Sequence, residues 1–428
     1  MTPVDFLDQV SQHIGISLFL CALSISAYLL MYRSGISSVA DPLFIGVLAS
    51  AFSTAVIAIL VFLKEIKSVY LVSFLTTEIA FFIATLAGGA KHLKLRRLMP
   101  DSFERSWYLT FHYLLVGTFL MSTSVYFWRV GLPVLQATSR LITFQELGIL
   151  TWVLDVTWVG VPLSVLIKRH FLSQKSSLDY LFLALSFFLF ATKGGKSDIV
   201  YFLFVLHIFS QVTGSTSVKR LESILLMALP IMLVAITSVV LAAWDVESSA
   251  LKVVLERFLL FGDVFFMGYN ESFLATVPDI GFLSYFFGGT KSAMDNIFGI
   301  VESERFILGY AISAFYYGSG EGIGPNARHN ILGLILWGPV FAVAFSVLCG
   351  TAFKICRRHV IGGGRSVFSI FLYCIINVYA WLFFIDPSLA LGHLLKIIVV
   401  VPPLAGCACL FRAWVVSASQ PIKIGIKS

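Results

Sequence analysis

The chain has 428 residues, 58% of them hydrophobic and only 12% charged, with a formal net charge of +7. Soluble globular chains carry about 25% charged residues, so this composition excludes a soluble fold and selects one built to sit in lipid. The positive balance does not call for nucleic acid, because the lysines and arginines gather at the ends of apolar runs, where they orient a chain in a bilayer.

The N-terminal stretch carries Asp5 and Asp8 and no basic cluster, and no small-residue cleavage site follows its first apolar run, so no cleaved signal peptide is expected. A membrane span needs about 20 apolar residues. Runs of that kind fall near 15–32, 43–63, 69–89, 108–128, 148–167, 180–192, 199–213, 221–244, 329–353, 366–385 and 390–411. The expected fold is therefore all-α, a polytopic bundle of about eleven transmembrane helices. Runs 180–192 and 199–213 are short and flank Lys193-Gly-Gly-Lys-Ser-Asp198, which suits a tilted or broken pair.

Basic residues collect in alternate short loops: Lys91 to Arg105, Lys168 to Lys175, Lys219 with Arg220, Lys354 to Arg365, and the tail from Arg412. Eleven spans put all five on one side, which the positive-inside rule makes cytoplasmic, with the N-terminus periplasmic. Trp107, Trp128, Trp244 and Trp414 stand at expected span ends, as an aromatic belt requires. The chain thus divides into residues 1–244 with eight spans, one large periplasmic loop at 245–328, and residues 329–428 with three spans and a cytoplasmic tail. The loop has ten acidic residues against five basic ones. Its runs Leu255 to Phe266 and Ile307 to Tyr317 are too short to span and read as helices lying at the membrane surface. The six cysteines lie in or beside apolar runs without metal-type spacing and read as small hydrophobes.

An ionisable residue inside a span costs several kcal/mol unless it is paired or wetted, which singles out Glu78 and Asp155. Each is either a functional acid or a partner for a basic group in the bundle. His112 and His207, nearer span ends, read as structural. Lys193 to Ser197 offers two lysines and two glycines whose backbone N–H groups suit an anion, although the spacing of a P-loop is missing. The long loop adds Arg257, Arg305 and Arg328, the side chains best shaped to grip phosphate oxygens, with carboxylates that include Glu321. Its closing stretch, Gly318-Ser-Gly-Glu-Gly-Ile-Gly-Pro-Asn-Ala-Arg-His-Asn330, can bring backbone close to a ligand. It would place His329 or Asn330 at the start of the next helix, where an anion is favoured.

This order of features resembles the bacterial O-antigen polymerase and ligase superfamily: about a dozen spans, an outer basic motif after a mid-chain span, then one large periplasmic loop. Gly324-Pro-Asn-Ala-Arg-His-Asn-Ile-Leu332 followed by Gly338 is similar to the family's loop end, and Arg257 resembles the Arg that opens the loop. Thr192-Lys-Gly-Gly-Lys-Ser197 resembles its small-residue and basic motif, with Lys196 where an Arg is usual, which keeps the charge and loses the bidentate fork.

The resemblance implies a membrane-embedded glycosyltransferase of the GT-C type. It would move a growing glycan from undecaprenyl pyrophosphate onto a lipid-linked repeat unit, with no cofactor and no metal. Catalytic roles would fall to His329, Glu321, Arg257 and Arg328, and pyrophosphate binding to Lys193, Lys196, Arg305, Asn326 and Asn330. Implied partners are the lipid-linked oligosaccharide, membrane lipid and a chain-length regulator protein. A ligase handing the same donor to a lipid A core is the near alternative. A lipid-linked saccharide flippase or secondary transporter, coupled through Glu78 and Asp155, is the distant one.

Overall fold

The computed structural model describes residues 2–86, 100–131, 147–192, 198–243, 258, 260–278, 307–318, 324–358 and 366–419. Every regular element among them is helical. The helices are α1 (Pro3–Gln12), α2 (Ile14–Tyr32), α3 (Pro42–Phe62), α4 (Ser68–Leu86), α5 (Ser102–Val130), α6 (Ile149–Phe171), α7 (Ser177–Thr192) and α8 (Asp198–Thr213). They continue with α9 (Thr216–Ala243), α10 (Asp263–Gly268), α11 (Glu271–Leu274), α12 (Leu308–Tyr317), α13 (His329–Arg358), α14 (Val367–Ala380) and α15 (Pro387–Ser419). Each of the eleven apolar runs is helical over its described residues. Among those residues, 8 helical segments are long and apolar enough to cross a membrane, and the chain is a multi-pass helical membrane protein.

Three of the expected spans fall outside those 8 for physical reasons. Helices α7 and α8 are short. Helix α5 has ample length, 29 residues, but is diluted by polar side chains that α6 satisfies. His112 Nδ1 lies 2.9 Å from Ser164 Oγ, and Trp158 Nε1 donates to Thr123 Oγ1 at 3.1 Å. Helix α6 is the most enclosed of the long apolar helices but one, with 72% of its apolar window buried, whereas α9 at 12% lies on the outside.

The basic loops meet at one end of the bundle. Arg105 donates to the Leu172 carbonyl, the Val367 N–H to Glu104, and Arg412 to the Phe103 carbonyl. Arg357 holds Asp41 bidentately at 2.7 and 2.6 Å, and Glu222, just past Lys219 and Arg220, is tied to the same place through His207 and Ser37. Described residues in or beside each of the five basic clusters are linked by these contacts.

Of the two helices expected at the membrane surface, the part that forms α10 lies inside the bundle instead. Helix α10 is buried, with Phe266 stacked on Phe6 (4.6 Å) and the preceding turn hydrogen-bonded to α3 through Ser53 Oγ and the Phe261 carbonyl (3.0 Å). Helix α12 turns Leu308, Ile312 and Ser313 inward and leaves Phe315 and Tyr317 exposed. It crosses the irregular stretch 324–328 backbone to backbone. A Cβ on Gly324 would overlap the Gly309 carbonyl oxygen, so no larger residue fits at this crossing.

Helix α13 is not the single span that hydropathy suggests. Gly338, at φ 72° and ψ 178°, breaks it just before Pro339. Beyond the break the chain folds back on itself: Gly333 lies against Ala342 and Phe345, and His329 Nδ1 is 3.0 Å from Ser346 Oγ. In one straight helix the 17 positions between His329 and Ser346 would be about 25 Å. The run from His329 to Trp337 is therefore a re-entrant half-helix about 13 Å long, and the crossing begins after the Gly338 turn.

Only glycine tolerates the Gly338 backbone without strain of about 1–3 kcal/mol. Gly338→Ala is expected to lower the thermal midpoint in detergent, while Gly406→Ala, with nothing within 4 Å of its new Cβ, leaves it unchanged.

Candidate functional site

The half-helix delivers Arg328, His329 and Asn330 to the middle of the bundle, and all three are fully buried. Irregular backbone at 324–328, with a tight turn closed by the Arg328 N–H on the Asn326 carbonyl (3.0 Å) and the Ala327 N–H donating to the Asp386 carboxylate (3.3 Å), lets the chain dip inward before the helix starts. Arg328 then reaches the centre of α3, donating to the Ala49 carbonyl (3.1 Å), Ser50 Oγ (2.7 Å) and Ser53 Oγ. Its other partner is Glu78, at 3.1 Å. Glu78 sits ten residues into α4, about 15 Å from that helix's start.

One oxygen of Glu78 collects this whole tripeptide. Arg328 Nη2 donates to Glu78 Oε1 at 3.1 Å, Asn330 Nδ2 donates to it at 3.3 Å, and His329 Nε2 stands 3.6 Å away. The second oxygen accepts from the Tyr28 hydroxyl at 2.9 Å. Asn330 also donates to Thr77 Oγ1 (2.9 Å), and the His329 ring stacks on Phe81 with centroids 4.3 Å apart. A carboxylate at a helix N-terminus complements the helix dipole, and the guanidinium compensates its charge where water would otherwise be needed. Three polar atoms in the cluster have no hydrogen-bond partner: Arg328 Nε, His329 Nε2 and Asn330 Oδ1.

A cleft of about 470 Å³ opens at the end of the bundle away from the basic loops. Tyr70 and Ser73 of α4, Leu274, Val277 and Pro278 of the long segment, and Leu334 of the half-helix line it. Ser73 is one helical turn from Thr77, and Leu334 one turn from Asn330, so the cleft floor lies about 5 Å beyond the buried cluster along both helices.

Of the residues singled out from sequence, the structure brings Arg328, His329 and Asn330 together and adds Glu78 to them. Asn326 stands apart, exposed on the stretch before the half-helix. Lys193, Lys196, Arg257, Arg305 and Glu321 lie outside the described residues. Asp155 is paired with Lys396 at 2.7 Å. His207, expected as structural, belongs to a second polar cluster at the basic end: its Nε2 is 2.8 Å from Ser37 Oγ and its Nδ1 2.7 Å from Glu222. That cluster is missed because Arg357 reads as an orienting charge and its partner Asp41 lies 316 positions away. A Gly-Pro pair at 338–339, a turn signal inside an apolar run, was available to reveal the re-entrant half-helix.

No family model, curated protein or solved structure matches the chain.

Breaking a buried ion pair by removing one partner costs about 3–5 kcal/mol. Arg328→Ala is expected to destabilise strongly, and Arg328→Met combined with Glu78→Gln to recover a large part of the loss. A double-mutant cycle of thermal midpoints measures this, and additive single effects would mean that the two charges are not coupled.

Proposed function

We propose that this protein is a membrane-embedded glycosyltransferase, an O-antigen or related surface-polysaccharide polymerase. It moves a growing glycan from undecaprenyl pyrophosphate to a lipid-linked repeat unit. The observation that supports this reading best is the position of the Arg328-His329-Asn330 motif, at the foot of a cleft partly lined by the long segment. A donor anchored in lipid enters such a cleft from the side. The acceptor hydroxyl then attacks the anomeric carbon, the bond from that carbon to the pyrophosphate oxygen breaks, and the leaving group departs as undecaprenyl pyrophosphate. His329, with an unpartnered Nε2, is the base that takes the acceptor's proton. Arg328, together with Arg257, Arg305, Lys193 and Lys196 of the sequence motifs, offsets charge on the leaving oxygen.

In this reading the basic end faces the cytoplasm, the cleft faces the periplasm, and the protein resides in the inner membrane with its N-terminus periplasmic. A reporter fused after Arg358 should be active on the cytoplasmic side only, and one fused near Asp279 on the periplasmic side only. A cytoplasmic Asp279 would end the mechanism.

The half-helix also favours a second reading, a lipid-linked saccharide flippase, because broken helices with N-termini at mid-depth are a transporter device. The pairing of Glu78 with Arg328 and of Asp155 with Lys396 weighs against coupling through free acids. Complementation of strains lacking a polymerase, a ligase or a flippase separates the readings through the ladder of glycan chain lengths. Wild-type protein should restore the ladder to the polymerase-deficient strain. His329→Gln, at matched membrane expression, should leave a single repeat on the core, a loss of about a hundredfold or more for a general base. A ladder restored only in the ligase-deficient or flippase-deficient strain would overturn the polymerase reading.

A further inference from the structure

We infer that Glu78 is the resting occupant of an anion site, holding the place that a ligand's phosphate takes when it enters from the cleft. Three side chains from one contiguous tripeptide at a helix start converge on a single carboxylate oxygen, with approaches of 3.1, 3.3 and 3.6 Å. The helix start favours negative charge through its dipole, the side chains supply the donors, and here the protein itself supplies the anion.

The cluster has more hydrogen-bonding capacity than Glu78 uses. Arg328 Nε, His329 Nε2 and Asn330 Oδ1 are buried without partners, a state unfavourable by about 1–3 kcal/mol for each group. A carboxylate has two oxygens, and one of these is taken by Tyr28. A phosphate has three terminal oxygens to accept from the guanidinium, Nε included, and sugar hydroxyls beside it can donate to His329 Nε2 and Asn330 Oδ1. The ligand class that fits is therefore a phosphate ester carrying a sugar. The approach is from the cleft, one turn from Thr77 and Asn330, with Gly338 at the end of the half-helix as the hinge. Glu78 keeps the buried guanidinium neutralised in the empty protein, and a dianionic head group displaces it where a neutral lipid does not.

The choice of a lipid-linked pyrophosphate as ligand rests on the proposed function, and the experiment keeps the two apart. The full chain in lipid nanodiscs is titrated calorimetrically with a long-chain polyprenyl pyrophosphate, with the matching polyprenol and inorganic pyrophosphate as separate arms. Glu78→Gln should have a lower thermal midpoint when empty, bind the polyprenyl pyrophosphate at least tenfold more tightly than wild type, and regain its midpoint on binding. Tyr28→Phe, which releases the second Glu78 oxygen and removes no charge, should tighten binding severalfold and serves where Glu78→Gln does not fold. The polyprenol should bind none of them measurably. Unchanged or weaker affinity in the folded variants, with wild type still binding, overturns this inference alone. Absence of binding by wild type overturns the proposed donor and this inference together.

Discussion

A guanidinium cannot rest in the apolar middle of a helical bundle without a counter-charge, and the arrangement around Arg328 follows from meeting that demand. Glu78 supplies the charge, and Ser50, Ser53 and the Ala49 carbonyl accept from the same two terminal nitrogens, which leaves only Nε without a partner. Because those acceptors belong to α3 and α4, the two helices must present their polar residues at one depth toward one point. Because the arginine precedes α13, the chain must descend to that depth before turning helical. The re-entrant half-helix, the glycine break that ends it and the close backbone crossing of Gly309 over Gly324 all serve this descent.

Hydropathy and charge alternation carry much of the architecture, since the solvent imposes both on the chain. Apolar runs mark helices because lipid leaves backbone groups no partners but their own. Basic loops mark one end, and the contacts among Arg105, Arg357, Arg412 and their acceptors agree. What sequence position cannot express is depth. Arg328 reads as a loop arginine because it precedes an apolar run, and that reading fails when the run begins halfway down the bundle. Glu78 and Arg328 each stand out alone, yet they are 250 positions apart, and no periodicity connects them. The burial of α10 is hidden in the same way, because a short apolar stretch suits a surface helix and an interior one equally well.

The bundle carries polar networks at two levels. At the basic end, Asp41, Arg357, His207 and Glu222 join α3, α13, α8 and α9. The central cluster joins α3 and α4 to the half-helix. Both networks rely on α3 and α13, which are fastened to each other twice: Asp41 to Arg357 at one end, and Ser50 and Ser53 to Arg328 at the centre, just before α13 begins. Relative motion of these two helices is thus limited at one end, and freedom remains toward the Gly338 turn.

The half-helix also sets an order of assembly. Nine residues make a helix too short to be handed to the bilayer as a span of its own, and a lone arginine at its head would resist entry. The segment must wait beside the bilayer until α3 and α4 have been inserted and offer their serines and Glu78. A protein so built completes its interior only after the last third of the chain has been synthesised. Truncated translation products would therefore leave Glu78 without its cation, an uncompensated charge that the bilayer interior does not tolerate.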